Sequence, residues 1–329
     1  MATLKPLADN DEIAHYEEAL ARYLDLELDA ERFTALRLQQ GVYGQRQEGV
    51  NMVRIKLPGG RLDPARLAAI ADVAEKHVAQ QMAHITTRQD IQLHHVPLAE
   101  TGAVLRRLAE DGVTTREACG NTIRNITACP LAGVCPREHT DVTTHLDGAV
   151  AHFLRNPLNQ QMPRKFKISF SGCEADCAQG LIHDLGIVAT RKGERSGFTV
   201  LAGGGLGHKP HEAITVAEFI EEQDLLPAME AVITLHNKYS DRSKRAKSRI
   251  KFLVDRFGEA GFIERFNEEF SRTKAALAGK RMVNVLPWPG SLVRATCPPR
   301  RWVISRVMAR PSPVPPYWRE VEPSACWKA

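Results

Sequence analysis

At 329 residues, with 43% hydrophobic and 25% charged side chains, the sequence has the composition of a globular protein with room for two domains. It holds no apolar run of membrane-spanning length and no short apolar core near its start, so neither a membrane span nor export is expected, and the cytoplasm is the expected compartment. The net charge of +5 comes from the last segment: residues 281–329 carry eight Lys or Arg and two acids, leaving 36 basic and 37 acidic side chains before it, a balance that argues against nucleic-acid binding.

Residues 10–38 place apolar side chains at three-to-four spacing and predict a helix. Residues 41–49 read as a glycine-bounded polar loop. Met52, Val53, Ile55 and Leu57, interleaved with Arg54 and Lys56, predict a strand with basic side chains on one face, closed by a Pro-Gly-Gly turn. Pro64 behind the candidate cap Asp63 opens a helix running to residue 80. Residues 84–96 alternate like a second strand, with Thr86, Arg88, Asp90, Gln92 and His94 sharing one face, and residues 101–113 form another helix. This order predicts an α+β unit with helices on one side of a sheet. The polar face of its strands suits two readings, a solvated sheet surface or a pocket in which Arg forks hold a multiply charged anion.

The character changes near residue 116. Five of the seven cysteines follow: Cys119, then Cys129 and Cys135, then Cys173 and Cys177, accompanied by Arg124, Arg164, Lys165 and Lys167. A short helix over 146–155 ends at Asn156-Pro157, a strand runs into Cys173, two more strands cover 180–190 and 197–207, and helices are predicted over 211–240 and 243–278. In the last, Ile250, Leu253, Val254 and Phe257 face inward, while the seven Lys or Arg between Ser240 and Arg256 face solvent or a partner. The glycine run at 203–207 fits neither a dinucleotide fingerprint nor a phosphate loop. No Ser-His-Asp set is apparent, and His94 and His95, adjacent on a strand, point to opposite faces. Residues 281–329 hold all four tryptophans and nine of nineteen prolines without periodicity; they read as a Pro-rich arm or, the favoured reading, as a segment out of register or truncated.

Clustered cysteines in a reducing compartment point to metal or redox chemistry before disulfides. Zinc and a cubane iron–sulfur cluster both take four thiolates, and spacing alone leaves the two level. Cys119 is then a spare, read as a small buried side chain.

The C-x5-C, long gap, C-x3-C arrangement resembles that of the sirohaem-dependent nitrite and sulfite reductases. The likeness extends to NMVRIKLPGG, HITTRQDIQLHH, ACGNTIRNITACPLAGVCP, MPRKFKISFSGC and YSDRSKRAKSRIKFL, over roughly residues 40–275. The resemblance implies a ferredoxin-like α/β unit followed by an α/β domain binding a [4Fe-4S] cluster and sirohaem. The implied division is a helical extension over 1–40, the ferredoxin-like domain over 41–115, the cluster domain over 116–280 and the atypical tail. It implies that Cys129, Cys135, Cys173 and Cys177 hold the cluster, with Cys177 bridging to the haem iron. Arg54, Arg124, Lys165 and Lys167 match the basic residues that meet the substrate anion. Thr86, Arg88, Gln92 and His94, with Arg242 and Lys247 as further candidates, match positions that meet the macrocycle.

The implied activity is six-electron reduction of sulfite, the first choice, or of nitrite, with ferredoxin or a flavoprotein as electron donor. A non-catalytic half-enzyme, or a zinc- or cluster-stapled binding module, is the alternative. Relatives are usually built of two homologous halves, and this chain resembles one, so a second half or a self-dimer is expected to complete it.

Overall fold

The computed structural model describes residues 7–279 and residue 282; the expectations for the tail fall outside these residues. Helix α1 (Asn10–Leu24) starts where the Asp9 carboxylate accepts the backbone N–H groups of Asp11 and Glu12, and α2 (Ala30–Gln39) starts in the same way behind Asp29. The single helix expected over 10–38 is therefore two. The chain breaks between them, where Leu26 takes a positive φ of 62° and Asp29 caps a new helix.

Strands β1 (Val42–Gly44), β2 (Val50–Ile55), β3 (Ala83–Ile85) and β4 (Ile91–Pro97) form an antiparallel sheet in the order β1-β2-β4-β3. The stretch expected as a polar loop at 41–49 thus begins with an edge strand. Helix α3 (Pro64–His77), capped by Asp63 as expected, and α4 (Thr101–Glu110) cover the sheet together with α1. Their shared core contains Tyr16, Phe33, Val53, Ile55, Leu93 and Leu108. The buried Tyr16 hydroxyl is satisfied by Thr101 Oγ1 at 2.7 Å.

Residues 84–96 are a hairpin and not one strand. Thr86 Oγ1 accepts the N–H groups of Arg88 and Asp90, and Gln89 takes φ 58°, so the chain reverses. Thr86, Arg88 and Asp90 therefore sit in a turn and do not share a strand face with Gln92 and His94. A bulge at His95 (φ 59°) accompanies the register shift opposite Met52.

The second sheet runs β5 (Thr127–Ala128), β6 (Ile168–Ser171), β7 (Leu185–Lys192), β8 (Arg195–Ala202), β9 (Ile214–Ile220) in that order. β5, β6 and β7 are parallel; β8 and β9 return antiparallel. Helices α5 (Thr143–Phe153), α6 (Pro157–Gln160), α7 (Glu222–Tyr239) and α8 (Ile250–Ala276) complete this region. Its core joins Phe166, Phe170 and Phe198 to Met229 and Val232 of α7 and to Phe262 and Phe266 of α8.

The helix expected from residue 211 is a strand up to Ile220, because the β-branched run Ile214-Thr215-Val216 pairs with β8. Lys251, expected to face outward, is buried, with its ammonium on the carbonyls of Leu206 and Lys209. Among the described residues no helix is long and apolar enough to cross a membrane.

Gly186 on β7 packs against the turn that follows Cys177: a Cβ there would lie 2.7 Å from Gly180 Cα. We expect Gly186→Ala to destabilise the fold by about 1–3 kcal/mol, read as a lower urea midpoint at unchanged slope; an unaltered midpoint would show that this contact relaxes freely.

Candidate cluster and anion site

Because β5 and β6 are parallel neighbours, their carboxyl ends open on the same edge of the sheet. Cys129 directly follows β5 and donates its N–H to Phe170 O at 2.9 Å; Cys173 lies two residues beyond β6. Parallel pairing thus brings together the two cysteine pairs that the sequence keeps far apart. The loops touch: His139 N donates to Gly172 O at 2.7 Å, and a Cβ on Gly172 would lie 3.1 Å from Glu138 Cβ and from Thr140 O. The Cys129 thiol is pushed up by burial, eased by the Leu131 backbone and pushed further by the adjacent Cys177 and Cys135 thiols. Cys177 is exposed, and all five cysteines of the described residues are free.

The described residues contain no group of three or more Cys, His, Asp or Glu gathered for a single metal ion. A cubane holds its four ligand sulfurs farther apart than one tetrahedral ion does. The paired cysteine loops supply the four thiolates that a [4Fe-4S] cluster takes. Cys119 stands apart, buried, with its Sγ 3.5 Å from Gly41 O.

Side chains that the sequence did not single out hold these loops. Gln89 grips Ala128, the residue before Cys129, with Nε2 donating to Ala128 O at 2.7 Å and Oε1 accepting Ala128 N–H at 3.0 Å. Asp176, at φ 45°, accepts from Ser171 Oγ at 2.7 Å and from Gly180 N at 2.9 Å, closing the Cys173–Cys177 loop. A glutamine in a turn and a serine at a strand end carry no sequence signal of such a task.

The basic residues gather elsewhere. Arg54 on β2 and Arg124 ahead of β5 both donate to the carbonyl of Ala118, at 3.1 and 2.9 Å, and Arg124 also to Gly120 O at 3.0 Å. With its amide oxygen turned toward β2, Gln92 accepts from Arg54 Nε at 2.8 Å. One carbonyl thus fixes two guanidiniums side by side at the wall of an open cleft of about 440 Å³. Arg164, Lys165 and Arg245 line it too, and no carboxylate is among its lining residues. Five cations without a counter-charge form a site for an anion.

Burial, with Arg124 and Arg164 nearby, pushes the Lys165 ammonium down. Burial, then Arg88 and Arg249, pushes Lys167 down to about 8 against the pull of Asp184. Asp184, buried, accepts from Arg249 Nη2 at 2.8 Å and from the Lys167 N–H at 2.9 Å.

Arg88 joins the two regions. It donates to Asn125 O at 2.8 Å and meets His183 Nε2 at 3.1 Å, while His183 Nδ1 lies 2.7 Å from Gln179 O. Burial, and Arg88 beside it, pushes His183 down to about 4, so it is neutral, with Nδ1–H donating to Gln179 and Nε2 accepting from Arg88. His94 is half-buried, 5.8 Å from the His84 ring. Arg242 donates to Gln161 O and Asn237 O and lines a cavity of about 290 Å³ that shares Leu38, Cys119, Gly120 and Asn121 with the cleft; Lys247 is exposed. Of the expected residues, Arg54, Gln92, Arg124 and Lys165 come together, Arg88 meets Lys167 electrostatically, and Thr86 is spent on its turn.

The model of the nitrite and sulphite reductase 4Fe-4S domain matches residues 119–274, which include all four paired cysteines, and that of the nitrite/sulfite reductase ferredoxin-like half domain matches 43–111. The chain belongs to the nitrite and sulphite reductase family. It is 35% identical over 257 residues to an assimilatory ferredoxin-dependent nitrite reductase of Haloferax mediterranei, covering 73% of this chain and 44% of the relative. A ferredoxin sulfite reductase of Mycobacterium tuberculosis is 29% identical over 248 residues, covering 70% of this chain and 44% of the relative. The chain therefore spans less than half the length of these curated relatives.

Among solved structures, the Mycobacterium tuberculosis NirA protein superposes with a TM-score of 0.70 at 26% identity, covering 82% of this chain and 54% of that one. Dissimilatory sulfite reductase I, at 13% identity and a TM-score of 0.55, covering 88% of this chain and 90% of that one, shares the fold.

Burial pushes the Asp90 carboxyl up to about 6 against the pull of Lys56, Arg54 and Arg88. The folded state therefore holds this proton more tightly than the unfolded chain, and stability falls as pH rises from the ordinary carboxylate range, about 4, to about 6. Asp90→Asn should flatten that slope in denaturation measured across this range; an unchanged slope would place the titration elsewhere. Asp184→Asn strands the Arg249 guanidinium and should cost about 3–5 kcal/mol, read from the same denaturation at pH 7.

Proposed function

We propose that this chain forms the reaction centre of a cytoplasmic reductase of nitrite or sulfite, with residues 41–115 and 116–280 as its two domains. The observation that carries this reading is the convergence of the two cysteine loops at the shared end of β5 and β6, in a fold that also builds a carboxylate-free cationic cleft. The four thiols of Cys129, Cys135, Cys173 and Cys177 would hold a [4Fe-4S] cluster, and Cys177, exposed on the rim, would bridge to a sirohaem iron. When bound, that pair of groups supplies electrons one at a time at an iron.

The chain's own residues do the rest. Arg54 and Arg124, locked by Ala118, bind the oxyanion and fix its orientation without reorganising. Lys165 adds charge at the cleft wall, and Lys167 Nζ, pushed down to about 8, holds a proton it can release near neutral pH. The Cys119 thiol, at the cleft wall, is pushed up by burial and stays protonated. Arg88 ties the cysteine loop to the turn that carries it, and His94, Arg242 and Lys247 are the candidates for the macrocycle's carboxylates. The names of the relatives support ferredoxin as the electron donor.

Protein purified without oxygen should show haem absorption together with iron and acid-labile sulfide; a colourless zinc protein would overturn the reading. Anion affinity follows Lys167: its charge is present below about 8 and lost above. Nitrite or sulfite binding should weaken as pH rises through that value. Lys167→Arg should carry tight binding to higher pH and Lys167→Gln should bind weakly throughout. A profile identical in all three proteins would remove Lys167 from the site.

A further inference from the structure

One buried cation has no place in the site described so far. Lys56 directly follows β2, and its N–H donates to Thr114 O at 2.9 Å. The residue is only 6% exposed. Yet among the described residues no hydrogen bond and no ion pair holds its ammonium. A lysine so placed is costly to charge, since burial removes its hydration and puts no counter-charge in contact with it.

What Lys56 faces is a small cavity. A space of about 10 Å³ is lined by Lys56, Glu117, Arg124 and Asn159, with Ile123 and Phe153 among its apolar walls. That is room for one water among several polar partners. Glu117, itself buried, accepts from Arg155 N at 2.9 Å and from Asn159 Nδ2 and Gln160 Nε2 at 2.7 Å each, and its two oxygens have lone pairs to spare. Arg124 is the shared wall, lining both this cavity and the anion cleft.

We propose that Lys56 is a positioning residue for the cleft, a protonation site that, with one water in this cavity, takes up a proton when an anion binds Arg54 and Arg124. This inference rests on the reading of the cleft as an anion site given above. Burial pushes the Lys56 ammonium down; Glu117 and Asp90 pull against it, and Arg124 and Arg116 push it further. An anion seated on Arg124 offsets a repulsive charge that borders both spaces, so the Lys56 amine gains proton affinity. By linkage, the protonated lysine raises the affinity of the cleft for the anion by the same factor. The proton comes from solvent and adds to the lone pair of the neutral Nζ; no other bond forms or breaks. Anion and proton thus enter the crowded region together.

The test compares nitrite affinity of the full-length protein, with its bound groups, between wild type and Lys56→Met. The series runs from about pH 6 to the ordinary lysine range, about 10.4. At the acid end the variant should bind at least about fivefold more weakly. The gap should close as pH rises and Lys56 discharges in wild type. Lys165 and Lys167 are common to both proteins and cancel in this ratio. Sulfite serves where nitrite does not bind, its own titration cancelling in the same way. A ratio that stays flat with pH would make Lys56 a structural residue only and overturn the inference.

A second measurement needs neither haem nor cluster. The folded chain holds the Lys56 proton less tightly than the unfolded chain, so wild type should gain stability as pH rises from the folded value to the ordinary lysine range. Lys56→Met should lack that gain in urea denaturation over the same pH series; Lys56→Gln takes its place should the methionine variant misfold. An identical rise in wild type and variant would overturn Lys56 as the protonation site while leaving the reductase reading intact. A wild-type protein that binds neither nitrite nor sulfite at any pH would overturn both.

Discussion

The parallel pairing of β5 with β6 is the constraint on which the rest depends. Two short strands, in register from Thr127 with Ser169 to Ala128 with Phe170, decide that loops distant in sequence share one edge. A strand of two residues has little hold of its own, so side chains outside the sheet reinforce it. Gln89 grips Ala128 from both sides, and the buried Asn125 amide donates to Leu57 O and Arg88 O. The turn after β3 and the strand before Cys129 are thereby one piece of structure. The first sheet serves the second by fixing the position of its cysteines.

The same turn also carries the charge problem. Lys56, Arg54, Arg88 and Arg124 crowd around it, and burial pushes the Lys56 ammonium down in spite of Glu117 and Asp90. Mutual repulsion among buried cations opposes folding, and the fold answers with carbonyls in place of carboxylates. Ala118, Gly120 and Asn125 offer backbone oxygens, which orient a guanidinium without neutralising it. A carboxylate at those positions would stabilise the chain and close the cleft to an anion. Asp90 and Asp184 are kept one layer behind, as Asp90 near Lys56 and Asp184 on Arg249.

Much of this was legible beforehand, and the failures have physical causes. The helix announced by Asp63 formed where expected because a cap is local, whereas three-to-four spacing over residues 10–38 placed helix there but missed the break at Leu26 and the new cap at Asp29. Residues 84–96 deceived because alternation of polar and apolar side chains does not register a turn held by one threonine hydroxyl. Residues 214–220 deceived because a strand at a sheet edge can carry Glu and Ala like a helix until its partner is known. The cysteine pairs and the basic residues were visible as residue types. What no spacing conveys is that they belong to opposite ends of one strand pair, or that Gln92 is turned toward Arg54.

The paired cysteines should hold one cluster per chain. Native mass spectrometry of the full-length chain, kept free of oxygen, measures this most directly. The expected result is a mass increment of one [4Fe-4S] group per chain that is lost in Cys173→Ser. A chain that carries a single zinc, or that gains no iron and sulfide after reconstitution, would contradict it.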